Sequence, residues 1–210
     1  MKLLKNGNGM EKYKILGVGH PRTGTGYTSK LLESFGLLVG HEKLKTDGLV
    51  AWQMTMPLNI FGNQLPWVHP KKDYSTIEFE TVIYNTRNPK DSIPSIVYTE
   101  TPSLIHRSKF IDFTEAQNDV ELAIISIIEF DKQIKRQYQN YFHYRVEDGK
   151  EKLYEFLSTK YKLRTDIKYP STNYNSRKNR IKEIDYSVVR PFYQKMINNY
   201  CDEYGYEKIF

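Results

Sequence analysis

A chain of 210 residues with 39% apolar and 27% charged side chains fits one soluble globular domain, spanning 1–210, with enough length to bury a good core. The single cysteine, Cys201, excludes an internal disulfide framework and fits the reducing cytoplasm, and no apolar run approaches the ~20 residues of a bilayer span, so no membrane partner is expected. The formal charge of +6 is spread through 25 acidic residues, which argues against a nucleic-acid binder despite the basic runs Arg177-Lys178-Asn179-Arg180 and Lys132 to Arg136.

Met1 to Met10 lacks the apolar stretch of a secretory signal. Tyr13-Lys14-Ile15-Leu16-Gly17-Val18 reads as a buried strand, and Ser29 to Phe35 as a helix. Leu37-Leu38-Val39-Gly40 reads as a short second strand that ends at His41-Glu42. Trp52 to Tyr74 has three prolines, no clear period, and apolar residues (Met54, Met56, Phe61, Trp67) that look exposed, as in a lid or binding loop. Thr81 to Thr86 is β-branched and aromatic, a central strand. Arg87-Asn88-Pro89 breaks it and opens a helix towards Tyr98.

Thr114-Glu115-Ala116-Gln117 fits a capping box. The helix after it places Val120, Ile124, Ile127, Ile128, Ile134 and Tyr138 on one face. Tyr141 to Val146 reads as a strand, followed by a helix through Leu157. Tyr169 to Arg180 is polar and turn-rich, and a last amphipathic helix covers Ser187 to Tyr204, where Cys201 has no catalytic setting. Strands alternating with helices predict an α/β fold: a P-loop-like parallel sheet with helices on both faces.

The loop between the first strand and its helix carries the strongest chemical signal. In Gly19-His20-Pro21-Arg22-Thr23-Gly24-Thr25-Gly26-Tyr27, glycines let backbone N–H groups converge at the positive end of a helix dipole. Arg22 adds a cation, and Thr23 and Thr25 add hydroxyl donors. His20 reads as a structural or phosphate-contacting residue. This is not a Walker A loop, since no Gly-Lys-[Ser/Thr] follows and no hydroxyl takes the metal-binding position. A glycine-rich turn without a ligand is the alternative. The five histidines are scattered and no His-Glu-x-x-His occurs, so no metal site is expected.

Arg87 repeats the logic at the end of another strand, with a guanidinium fork suited to phosphate oxygens. Ser95, eight residues on and roughly on the same side of its helix, faces the same way. The competing reading pairs Arg87 with Asp91 on the surface.

Pro21-Arg22-Thr23-Gly24-Thr25 resembles the 5′-phosphosulfate loop of sulfotransferases that use 3′-phosphoadenylyl sulfate (PAPS), in the branch with arginine where others carry lysine. Arg87 and Ser95 resemble that family's 3′-phosphate site at the same spacing. Gly40-His41-Glu42, Arg145-Val146-Glu147-Asp148 and Tyr204-Gly205-Tyr206 resemble further family segments, so the likeness runs from Ile15 to Tyr206. Gly26 replaces a threonine that many relatives carry before the aromatic, here Tyr27. A glycine-rich later loop is not evident; Asn173 to Arg177 takes its place, with Ser176 and Arg177 as the residues carried over.

The resemblance implies transfer of a sulfuryl group from PAPS to a hydroxyl or amine of a small-molecule or glycan acceptor, leaving adenosine 3′,5′-bisphosphate, without a metal. Arg22 is the expected catalytic cation. Glu42 is the expected general base and His41 the runner-up, with a simple ion pair as the competing role for Glu42. The other readings are a P-loop nucleotide kinase and a non-enzymatic nucleic-acid-binding protein. The acceptor and the oligomeric state are not legible at this level.

Overall fold

A computed structural model describes residues 10–61, 73–171 and 181–210. Five parallel strands form one sheet in the order β2-β3-β1-β4-β5. They are β1 (Glu11–Gly19), β2 (Val39–His41), β3 (Gly48–Val50), β4 (Ile77–Thr86) and β5 (Phe142–Arg145). Among the described residues six α-helices accompany them: α1 (Thr25–Ser34), α2 (Pro89–Thr99), α3 (Thr101–Arg107), α4 (Asp119–Gln137), α5 (Gly149–Ser158) and α6 (Pro191–Tyr204). The expected α/β class with a parallel sheet is therefore observed.

Neighbouring residues on each strand feed opposite cores, because successive side chains point to opposite faces. Ile15, Val50, Ile83 and Tyr144 pack with Leu31 and Leu32 of α1 and with Leu153 and Leu157 of α5. Leu16, Val18, Leu49 and Tyr84 pack on the other face with α2, α4 and α6. Burial on both faces explains why the strand segments read as nearly continuous apolar runs. No helix among the described residues is long and apolar enough to cross a membrane.

Several expectations need correction. Helix α1 starts at Thr25, four residues before Ser29, because Gly24 turns the chain directly into it. Helix α4 starts at Asp119, where the Asn118 side chain accepts from the Glu121 N–H; Thr114 instead sits in a turn bonded to Asp112. Helix α6 starts at Pro191, behind a single 3-10 turn at Tyr186–Val188. Strand β3 and helix α3 are short elements without a strong local pattern. Met54 and Met56 are buried rather than exposed, in and just after a 3-10 turn at Trp52–Thr55. Tyr138 lies just past the end of α4 in extended backbone rather than on its face; its hydroxyl donates to the Met54 carbonyl while Gln137, the last residue of α4, donates to that of Met56, and together they hold that segment against the core. Phe61 ends a second 3-10 turn at Leu58–Phe61, and Trp67 lies outside the described residues.

Candidate anion site at the carboxyl ends of β1 and β4

Strands β1 and β4 are neighbours, with Gly19 level with Asn85. The chain leaves β1 through α1 towards β2 and β3, and leaves β4 through α2 towards β5 on the opposite side. The two connections diverge above the sheet, and such a switch point is where open α/β sheets collect ligands. Both sequence-predicted anion segments, the loop at His20–Gly24 and Arg87 with α2, sit there.

The first loop is tightly determined. The His20 carbonyl accepts from the Thr23 N–H at 3.1 Å and from the Thr23 hydroxyl at 2.8 Å. Gly19 lies flat against β4: a Cβ there would stand 2.6 Å from the Asn85 carbonyl oxygen. Arg22 and Gly24 both have positive φ, 79° and 83°. Gly24 suits that region, and a Cβ on it would also meet Val146 Cγ1 at 2.6 Å. Behind the loop, Thr28 Oγ1 donates to Asn85 Oδ1 and Asn85 Nδ2 donates to the Val18 carbonyl, which ties α1 to both strands.

Gly24 is the N-cap of α1 and brings no side chain to the helix end. The first-turn amides of Thr25, Gly26 and Tyr27 are thus not capped from within, at the positive end of the helix dipole. Thr23, Thr25 and Gly26 are buried, while Tyr27 is half-buried with its phenol pushed up by burial and by Glu151.

Arg22 turns its side chain towards α2. Its Nε donates to Ser95 Oγ at 2.8 Å and lies 3.6 Å from Glu100 Oε1. Arg87 Nη1 reaches the Arg22 carbonyl at 3.4 Å. The two predicted segments therefore meet, and Ser95 is joined to Arg22 across the crevice. Asn88 caps α2 by accepting from the Lys90 N–H, and its own N–H donates to Glu147 at 2.9 Å.

His41 and Glu42 lie at the end of β2, two strands from β1. Glu42 has a positive φ of 53°, and its N–H donates to the Val50 carbonyl at 2.9 Å. His41 Nε2 lies 3.4 Å from Thr25 Oγ1, so of the two base candidates the histidine touches the loop. Burial lowers the His41 pKa, and the neighbouring Glu42 carboxylate works against that shift. Ser176 and Arg177 lie outside the described residues.

Two features escaped the sequence reading. Glu100, at the corner between α2 and α3, is the carboxylate beside Arg22 and also accepts from Ser103 Oγ at 2.9 Å. Beneath the loop, His20 Nε2 lies 2.7 Å from Ser126 Oγ, and Arg107 donates to the same oxygen. Burial and the Arg107 charge hold His20 well below its ordinary pKa, and burial takes Arg107 down to about 10, still a cation at neutral pH. Arg107 and Ser126 stand on helices with no recognisable motif, so nothing local marks them. Comparison with protein-family models, with curated proteins and with solved structures finds no match to this chain.

Proposed function

We propose that the crevice binds the phosphosulfate donor PAPS and that the protein is a sulfotransferase, working on a hydroxyl or amine of a small-molecule or glycan acceptor. One observation carries this reading: Arg22 after β1 and Arg87 and Ser95 after β4 converge at one switch point. A donor with a 3′-phosphate and a 5′-phosphosulfate needs two separated anion cradles that one nucleotide can bridge. The loop and the open end of α1 take the phosphosulfate, in a P-loop-like manner; Arg87 and the start of α2 take the 3′-phosphate.

The chemistry then asks for alignment and charge stabilisation. As the S–O bond lengthens, negative charge grows on the bridging oxygen. Arg22 and the amides at the start of α1 stabilise it, with the Thr25 hydroxyl as a further donor; the Thr23 hydroxyl is spent on the His20 carbonyl and shapes the loop instead. Glu42 takes the acceptor's proton, with His41, whose ring reaches Thr25, as the second candidate.

The reading is tested by titrating adenosine 3′,5′-bisphosphate with and without Mg²⁺, then supplying PAPS labelled in its sulfuryl group with a panel of acceptors. Binding that is indifferent to Mg²⁺, with label moving to an acceptor, is the expected result. ATP binding that needs Mg²⁺ would instead favour a kinase. Salt-dependent binding of oligonucleotides alone would favour a nucleic-acid protein.

A further inference from the structure

The buried group under the loop has a determinable hydrogen-bond direction. The Pro21 carbonyl can only accept, and His20 Nδ1 lies 2.5 Å from it, so Nδ1 carries a hydrogen. The ring is fully buried and faces the Arg107 cation, which keeps it neutral with a single proton. Nε2 is then a bare acceptor, and the Ser126 hydroxyl 2.7 Å away must donate to it. The Ser126 oxygen in turn accepts from Arg107, which can only donate. The chain runs one way: Arg107 N–H to Ser126 O–H to His20 to the Pro21 carbonyl.

Each link is built into the core. Arg107 is 1% exposed and also donates to Ser103 Oγ at 3.2 Å and to the Glu100 carbonyl at 3.1 Å. Phe130, one helical turn after Ser126 on α4, packs edge-on against the His20 ring at 4.7 Å between centroids. The consequence falls on the loop. With the His20 carbonyl taken by Thr23 and the Pro21 carbonyl taken by the His20 ring, two successive oxygens are engaged inside the protein. A loop that is to receive an anion must keep its carbonyl oxygens from the ligand, since they would repel it.

We propose that Arg107 is a positioning residue for the loop at His20–Gly24: through Ser126 and His20 it holds the Pro21 carbonyl inward and so orients the loop for an anion, without touching the ligand itself. The loop's service as an anion cradle rests on the reading above; the hold of Arg107 on the loop does not.

The test uses the full chain without ligand, and His20 as the discriminating position. Asparagine places an N–H near Nδ1 and can still donate to the Pro21 carbonyl, whereas glutamine places its amide near Nε2 and cannot. Nitrogen NMR of the wild type is expected to find His20 protonated at Nδ1 only. Amide hydrogen exchange at Arg22 to Thr25 is expected to rise by about tenfold or more in Ser126→Ala and His20→Gln, and by a smaller factor in His20→Asn, which keeps the bond to the Pro21 carbonyl but loses the one to Ser126, with Ile15 to Val18 of β1 unchanged throughout. Arg107→Met should match Ser126→Ala; should it fail to fold, the other three variants decide.

A proton on Nε2, equal behaviour of the two His20 variants, or loop exchange untouched by Ser126→Ala would overturn the proposal. Titration with adenosine 3′,5′-bisphosphate separates the two readings. If the exchange pattern holds but the wild type does not bind this probe, the donor assignment fails and the positioning role stands.

Discussion

Arg22 Nε lies 2.8 Å from Ser95 Oγ, although 73 residues separate the two along the chain. That bond joins the loop after β1 to the helix after β4, which are the two segments expected to hold separate phosphates. Glu100 stands on the same edge of Arg22 at 3.6 Å. The guanidinium is therefore held from α2 before any ligand arrives, and little side-chain freedom is left to lose on binding.

Arg22 carries both a cation and a strained backbone, with φ at 79°. Arg22→Ala and Arg22→Gly should each lower turnover of labelled PAPS by roughly 10²–10³. Thermal melts should rank the glycine variant above the alanine one, since a Cβ at positive φ costs about 1 kcal/mol. Either variant keeping near-normal turnover would remove Arg22 from the mechanism.

Arg87→Ala should weaken adenosine 3′,5′-bisphosphate by about 10–100-fold, the worth of a charge-assisted hydrogen bond. Adenosine 5′-phosphate should lose far less. Calorimetric titration of both nucleotides checks this, and equal losses would contradict a 3′-phosphate role.

Glu42→Gln should reduce turnover by roughly 10²–10⁴ while the bisphosphate still binds normally. His41→Gln should disturb binding as well, because the His41 ring reaches Thr25 at 3.4 Å. Steady-state kinetics with parallel titrations distinguish them. A rate loss confined to His41→Gln would move the base to the histidine.

Gly24→Ala puts a Cβ where Val146 Cγ1 already stands, 2.6 Å away. The substitution should cost about 1–3 kcal/mol in denaturant unfolding, from overlap plus positive-φ strain. In a Val146→Ala background the cost should shrink by about 0.5–1 kcal/mol, because only the strain remains. Strictly additive costs would show that the two residues do not compete for space.

Acid should destabilise the fold over two windows that overlap between pH 4.5 and about 4. Burial and nearby Lys152 push His143 from 6.5 down to about 4, and its Nε2 lies 2.8 Å from Thr86 Oγ1. Its neutral form is favoured by folding, so that stability is intact above pH 6.5 and is lost as pH falls to about 4. His20, held low by burial and Arg107, acts in the same direction. Arg190 holds Glu121 down from 4.5 to about 2, so its share is present above pH 4.5 and lost as pH falls towards 2. Urea unfolding across the upper window should show a flatter pH dependence for His143→Gln than for wild type. Superimposable curves would overturn the assignment.

The amino-acid sequence by itself determined the strand, glycine loop and helix of Tyr13 to Phe35, the strand at Thr81 to Thr86, its break at Arg87-Asn88-Pro89, and the buried stripe of α4. Those features are local: they follow from periodicity, β-branching, proline at a helix start and glycine at positive φ. Tertiary structure alone decided the rest. Gly24 moved the start of α1 forward; the hydrogen bonds from Gln137 and Tyr138 buried Met54 and Met56. The Ser95 hydroxyl went to Arg22, Glu100 came beside it, and Ser126 met His20 over a separation of 106 residues. A serine or an arginine on a helix has no local pattern that names its partner; only the packing of α2, α3 and α4 over one face of the sheet brings these donors and acceptors into register.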